Sequence, residues 1–209
     1  MDLGIPVGDR FTLAFPTPIY HRQWPDDDVN ARLREIVLAK RAADPGIKVA
    51  QVGGWHSNTD LLHWPDPVVA VLRERITSAI GDMVQLVTDG KPAPGDLGGH
   101  AEAWANVSRR GDFHAFHDHA GNVFSGVYYV CVGRMDPGVD PVENGAFVVP
   151  DPRGAVGMIP TPGNPFGRMM RFSPRPGLLL VFPSWLRHMA NPYYGDDERI
   201  SISFNVRSA

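Results

Sequence analysis

The chain has 209 residues, 43% of them hydrophobic and 21% charged, with a formal net charge of −3. This describes a globular chain with enough length for a sizeable core, and it excludes the basic footprint of a nucleic-acid binder or a membrane-surface patch. The only cysteine, Cys131, excludes an internal disulfide and a cysteine-based zinc cluster, and its apolar neighbours mark an inert core thiol.

The opening residues, Met1 to Pro6, lack the basic start and long apolar run of a signal peptide. No apolar run is long enough to cross a bilayer, so the expected location is the cytoplasm. Glycine (22) and proline (20) are spread along the chain, which favours many short strands joined by turns. One domain over residues 1–209 is expected, with 1–99 as a helical N-terminal support region and 100–209 as the β-rich core.

Phe11 to Trp24 reads as one or two short strands broken by Pro16 and Pro18. Asp26-Asp27-Asp28 then offers capping carboxylates, and Val29, Leu33, Ile36 and Val37 recur at helical spacing until Asp44-Pro45-Gly46. Gln51 to His63, with Gly53-Gly54-Trp55, reads as a loop. A second helix is predicted from Pro67 to Val87, with Pro67 suited to its first turn and Leu72, Ile76, Ile80, Met83 and Val87 in one stripe.

From His100 the period changes to two. Glu102, Trp104, Asn106 and Ser108 alternate with Ala103, Ala105 and Val107. Further strands are expected near Asp112–His117, Phe124–Val132, Gly145–Val149, Met169–Phe172, Leu178–Phe182 and Arg199–Val206. The loops 134–144 and 150–168 are rich in glycine and proline and are expected to shape a pocket. In the last strand Ile200, Ile202, Phe204 and Val206 face one way, and Arg199, Ser201, Ser203 and Asn205 the other. Two helices followed by about seven strands predict an antiparallel sandwich or barrel with the helices packed on one sheet.

Chemistry concentrates in Gly111-Asp112-Phe113-His114-Ala115-Phe116-His117-Asp118-His119-Ala120-Gly121. His117 and His119 are two apart, so in a strand both imidazoles face one side and converge on one metal ion. By the same alternation His114 points away, and His21, His56, His63 and His100 read as packed, hydrogen-bonded residues. A third candidate ligand, His188, follows the apolar run Leu178–Phe182 and a turn. Arg199 and Ser201 open the polar face of the last strand.

The histidine pair, the distant histidine and the Arg-x-Ser after it resemble the 2-oxoglutarate and Fe(II)-dependent oxygenases. Phe15 to Tyr20, Gly54 to Ser57, Trp104 to Asn106, Ser125 to Tyr129, Phe182 to Trp185 and Glu198 to Asn205 are similar to a small bacterial and phage branch of that superfamily. The resemblance implies a double-stranded β-helix, the jelly-roll or cupin-like fold, and it covers nearly the whole chain.

It also implies Fe(II) held by His117 and His188, 2-oxoglutarate as co-substrate and O2 as oxidant. The family has a carboxylate two residues after the first histidine, where this chain has His119. Same-face geometry favours His119 as third ligand, with Asp118 the alternative. Arg199 is the implied anchor of the distal carboxylate of 2-oxoglutarate, assisted by Ser201, with Asn106 beside it. Tyr128, Ser125, Trp104 and Asn205 are secondary pocket candidates, and Asp118 or Asn191 candidates to support the ligating imidazoles.

The implied reaction hydroxylates an unactivated C–H bond of a small molecule, an amino acid or natural-product intermediate, with release of succinate and CO2. Arg168 or Arg171 would pair with an anionic substrate. No nucleic-acid or membrane partner is expected, and oligomeric state, a homodimer included, stays open. The alternatives are a cupin-type three-histidine metalloenzyme that does not use 2-oxoglutarate, and a non-catalytic jelly-roll binding module.

Overall fold

The structure, a computed structural model, describes residues 15–49, 51–91, 99–154 and 169–208. The chain begins with β1 (Tyr20–Gln23) and turns into α1 (Asp27–Ala43). The Asp26 carboxylate caps α1 by accepting from the Val29 amide at 3.1 Å. Asp27 and Asp28 in the first turn, and Lys40 and Arg41 in the last, suit the helix dipole.

The stretch expected as a loop instead holds two minimal strands, β2 (Gln51–Val52) and β3 (Trp55–His56), and a 3-10 turn at Leu61–His63. Two residues are too few to show a period, so these strands exist only through their partners. α2 (Pro67–Val87) keeps its predicted bounds, with Asp66 capping the Val68 amide. β4 (His100–Ser108), β5 (Phe113–His117), β6 (Phe124–Cys131), β7 (Phe147–Pro150), β8 (Met169–Phe172) and β9 (Leu178–Pro183) follow. β10 (His188–Ala190), where a turn was expected, and β11 (Arg199–Arg207) complete the order. Residues 11–14 of the expected first strand, and Arg168, lie outside the described residues.

Two antiparallel sheets result, one ordered β1-β9-β6-β11-β4-β3 and the other β2-β5-β10-β7-β8. This is the expected double-stranded β-helix. The first 99 residues contribute three of its strands as well as the helices.

Alternation along the six-stranded sheet builds two interiors. Ala103, Ala105 and Val107 of β4, Tyr128 and Val130 of β6, and Ile200, Ile202, Phe204 and Val206 of β11 pack in the core formed with α1 and α2. Val127 and Tyr129 of β6, with Leu180 and Phe182 of β9, meet Phe147 and Val149 of β7 between the sheets. Gly126 is required where β6 crosses these layers, because a Cβ would collide with the Phe204 ring and the Leu180 carbonyl. No helix among the described residues is long and apolar enough to cross a membrane.

One buried polar chain ties the helices to the sheet. Arg75 of α2 donates to Asp26 at 2.7 Å and to the Tyr128 hydroxyl at 2.7 Å. That hydroxyl donates in turn to Asn30 of α1, also at 2.7 Å. Tyr128 therefore faces the helices and not the pocket for which the sequence offered it. Removing Arg75 leaves the Asp26 carboxylate and the Tyr128 hydroxyl each short of one partner. Arg75→Ala is expected to destabilise the fold by roughly 2–3 kcal/mol, read as a fall in melting temperature of about 5–10 °C.

Candidate metal centre and its cavity

His117 ends β5 and stands opposite His188 of β10, so their side chains share one face. Their ring centroids are 4.4 Å apart. His119 lies two residues beyond the end of β5, outside the strand on which its orientation was argued. It converges nonetheless, because its amide donates to the Ser184 carbonyl at 3.0 Å and its carbonyl closes a turn with Asn122. Its ring centroid sits 5.1 Å from that of His117 and 5.2 Å from that of His188.

One ring nitrogen from each of the three lies within 4.8 Å of the other two. Nδ1 of His117 is 2.7 Å from the Ala115 carbonyl, and Nδ1 of His188 is 2.8 Å from the Leu186 carbonyl. A carbonyl only accepts, so each Nδ1 carries the proton and each Nε2 turns a lone pair inward. These backbone carbonyls do the supporting work offered to Asp118 and Asn191. Asn191 instead donates to Glu143.

Burial holds His188 down to about 3 and His119 down to about 4, so both stay in the neutral form that binds metal. Three imidazole nitrogen donors on one side of a cavity fit a divalent ion with open positions opposite.

The cavity between the sheets measures about 320 Å³. The polar face of β11 lines it with Arg199, Ser201, Ser203 and Asn205, as the alternation predicts. Arg199 is 3% exposed and its guanidinium lies over the Tyr129 ring, 5.2 Å from the centroid. It donates to the Gly145 carbonyl at 3.1 Å. Gly145, at φ +63°, leaves the room; a Cβ there would come within 3.3 Å of Nε. That Nε is buried with no partner among the described residues. Asn106 donates to the Ser203 hydroxyl at 3.1 Å, while its Oδ1 is buried and unpartnered among the described residues. Ser201 pairs in register with Asn106 across the β4–β11 ladder.

Of the secondary candidates, Trp104 and Asn205 line the cavity, whereas Ser125 sits behind it and donates to Asn205. The sequence named Tyr128 where its neighbour Tyr129 faces the cavity.

His114 also lines the cavity, against expectation. Two steps on β10, from His188 to Ala190, answer three on β5, from His117 to His114. The extra residue is a bulge, and it turns His114 onto the face of His117. His56, read as a packed residue, is packed on Trp104 at 5.5 Å and reaches the cavity too.

Residues 134–144 do not reach the lining, while Ile47 and Val49 do. Two apolar residues in an otherwise polar connection were the available signal for them. Arg171 is paired with Glu143 at 2.9 Å and stands outside the cavity.

Comparison with known proteins agrees with this architecture. A prolyl-4-hydroxylase from Pseudomonas putida is similar at a TM-score of 0.63 and 16% identity, over 92% of this chain and 94% of that one. HygX from Streptomyces hygroscopicus, solved with nickel and 2-oxoglutarate bound, gives 0.60 and 12%, over 92% of this chain and 83% of its own. The non-haem α-ketoglutarate-dependent epimerase SnoN of nogalamycin biosynthesis gives 0.61 and 13%, over 92% and 78%. At such identities the likeness speaks for the fold. No curated protein matches the chain by sequence. Residues 102–205 match the family model described as "Putative 2OG-Fe(II) oxygenase", and they carry the three histidines, Arg199, Ser201 and Asn106. The chain belongs to the 2-oxoglutarate and Fe(II)-dependent oxygenases.

Proposed function

We propose that the chain hydroxylates an unactivated C–H bond of a small molecule, converting 2-oxoglutarate and O2 to succinate and CO2 as it does so. One observation carries this: three imidazole nitrogens within 4.8 Å share a cavity with a buried guanidinium whose Nε has no partner among the described residues.

His117, His119 and His188 would hold Fe(II), which supplies the redox chemistry that activates dioxygen. Arg199 receives the distal carboxylate of 2-oxoglutarate, and the planar fork satisfies its unpartnered Nε with a charge-assisted bond. Tyr129 under the guanidinium and Gly145 beside it hold that fork in place. The Ser201 hydroxyl donates to the same carboxylate. Rotation of the Asn106 amide exchanges its two ends against Ser203, whose hydroxyl either donates or accepts, and presents an N–H to the co-substrate.

The apolar wall of Val127, Phe147 and Phe182 excludes water from the reacting centre. A cavity of about 320 Å³, near the low end of small-molecule pockets, leaves space for a compact substrate beside 2-oxoglutarate. His119 in place of a carboxylate gives the cupin-type reading its best support. A buried guanidinium without a dianion to bind counts against it.

Three outcomes test the assignment. Anaerobic addition of Fe(II) and 2-oxoglutarate to the purified protein is expected to give a weak visible metal-to-ligand charge-transfer band; none at millimolar co-substrate would remove it. Arg199→Ala should weaken 2-oxoglutarate on the order of 100-fold or more, with iron affinity little changed. Equal loss of both would deny Arg199 its role. His119→Ala should lower iron affinity by more than the roughly 10- to 100-fold that a lost supporting hydrogen bond costs, and His119→Asp should restore much of it. Unchanged affinity in the alanine variant would show that His119 is no ligand.

A further inference from the structure

We infer that the primary substrate carries a cationic nitrogen, and that Glu102 receives it at the end of the cavity opposite Arg199. The inference rests on the oxygenase reading of the same cavity and adds the chemical class of its substrate.

The cavity is charged unequally along its length. Among the described residues its lining contains one permanent cation, Arg199, and two carboxylates, Glu102 and Asp118. Arg199 pairs with Ser108 in the β4–β11 ladder, and Asn205 pairs with Glu102. Asn205 lies six residue steps along β11 from Arg199, which at about 3.3 Å per step puts the two ends roughly 20 Å apart along the strands. A five-carbon diacid anchored on Arg199 cannot reach Glu102. The metal-binding histidines fall between the ends, since the His119 ring lies 6.0 Å from Trp104, one cavity-facing position in from Glu102.

Glu102 is held ready for a ligand. Its Oε1 accepts from Asn205 at 3.3 Å and from Arg207 at 3.2 Å, which fixes the carboxylate, while Oε2 has no partner among the described residues. The Arg207 side chain is 58% exposed, so that pair is screened and leaves attraction for a second cation. Trp104, on the same strand face, lines the cavity between Glu102 and the His119 ring. Asp118 adds a second negative charge to the lining. Arg171, the described arginine offered for an anionic substrate, is engaged by Glu143 outside this space.

The test uses probe pairs of like shape that differ in charge: lysine against norleucine, arginine against citrulline, and putrescine against 1,4-butanediol. Each is added to protein loaded anaerobically with Fe(II) and 2-oxoglutarate, and separately to metal-free protein in equilibrium dialysis. At least one cation is expected to bind about 10-fold or more tightly than its neutral counterpart and to perturb the absorption band. Glu102→Gln should remove most of that preference. Absence of any cation preference in the wild type overturns the proposal. So does a Glu102→Gln variant that loses iron or co-substrate affinity and keeps the preference, because Glu102 would then serve only to balance the metal's charge. A missing band before any probe is added falls on the oxygenase reading instead, and dialysis of the metal-free protein still reads the preference.

Discussion

The pairing of β10 with β5 is the constraint on which the candidate metal centre depends. β10 has three residues, yet it places His188 directly opposite His117 and carries the strand register onward to β7. Side-chain direction in a strand has a period of two, so a slip of one residue would turn His188 out of the cavity and break the donor set. The register is fixed from outside the short strand. Phe147 and Phe182 pack on the His188 ring with centroids at 5.1 and 4.7 Å, and the Leu186 carbonyl holds its Nδ1.

β11 performs the complementary task. Its apolar face is the floor under the two helices, and its polar face is the floor of the cavity. The strand pairs on both sides, with β4 and β6, over nearly its full length. That makes it a rigid rail on which Arg199, Ser201, Ser203 and Asn205 keep fixed spacing. Precise placement is what recognition of two ligands in one cavity requires, and it is better supplied by a central strand than by a loop.

Legibility in the sequence followed the length of the local pattern. α2, with five stripe residues and a proline in its first turn, was readable to its bounds, and β4 and β11 were readable with their faces, because nine residues of alternation leave little choice. β2 and β3 were invisible, since two residues carry no period. The bulge in β5 defeated a correct rule: His114 was assigned to the wrong face because one inserted residue resets the alternation. Tyr128 and Tyr129 were confused for want of knowing which face of β6 met the helices. The carbonyls that orient His117 and His188 have no sequence signature at all, since every residue has one. The three histidines and Arg199 stood out because residue type, and not only pattern, set them apart.

The unpartnered Nε of Arg199 has a thermodynamic consequence for the protein as a whole. A buried guanidinium with an Nε that has no partner among the described residues is a standing cost to the folded state, and unfolding to water relieves it. A diacid that binds only the native chain returns that cost and adds RT ln(1 + [L]/Kd) to the unfolding free energy, about 2.7 kcal/mol at a concentration 100 times Kd. The abundance of intact protein in a cell would then follow the supply of the central metabolite it consumes, with no regulatory domain involved.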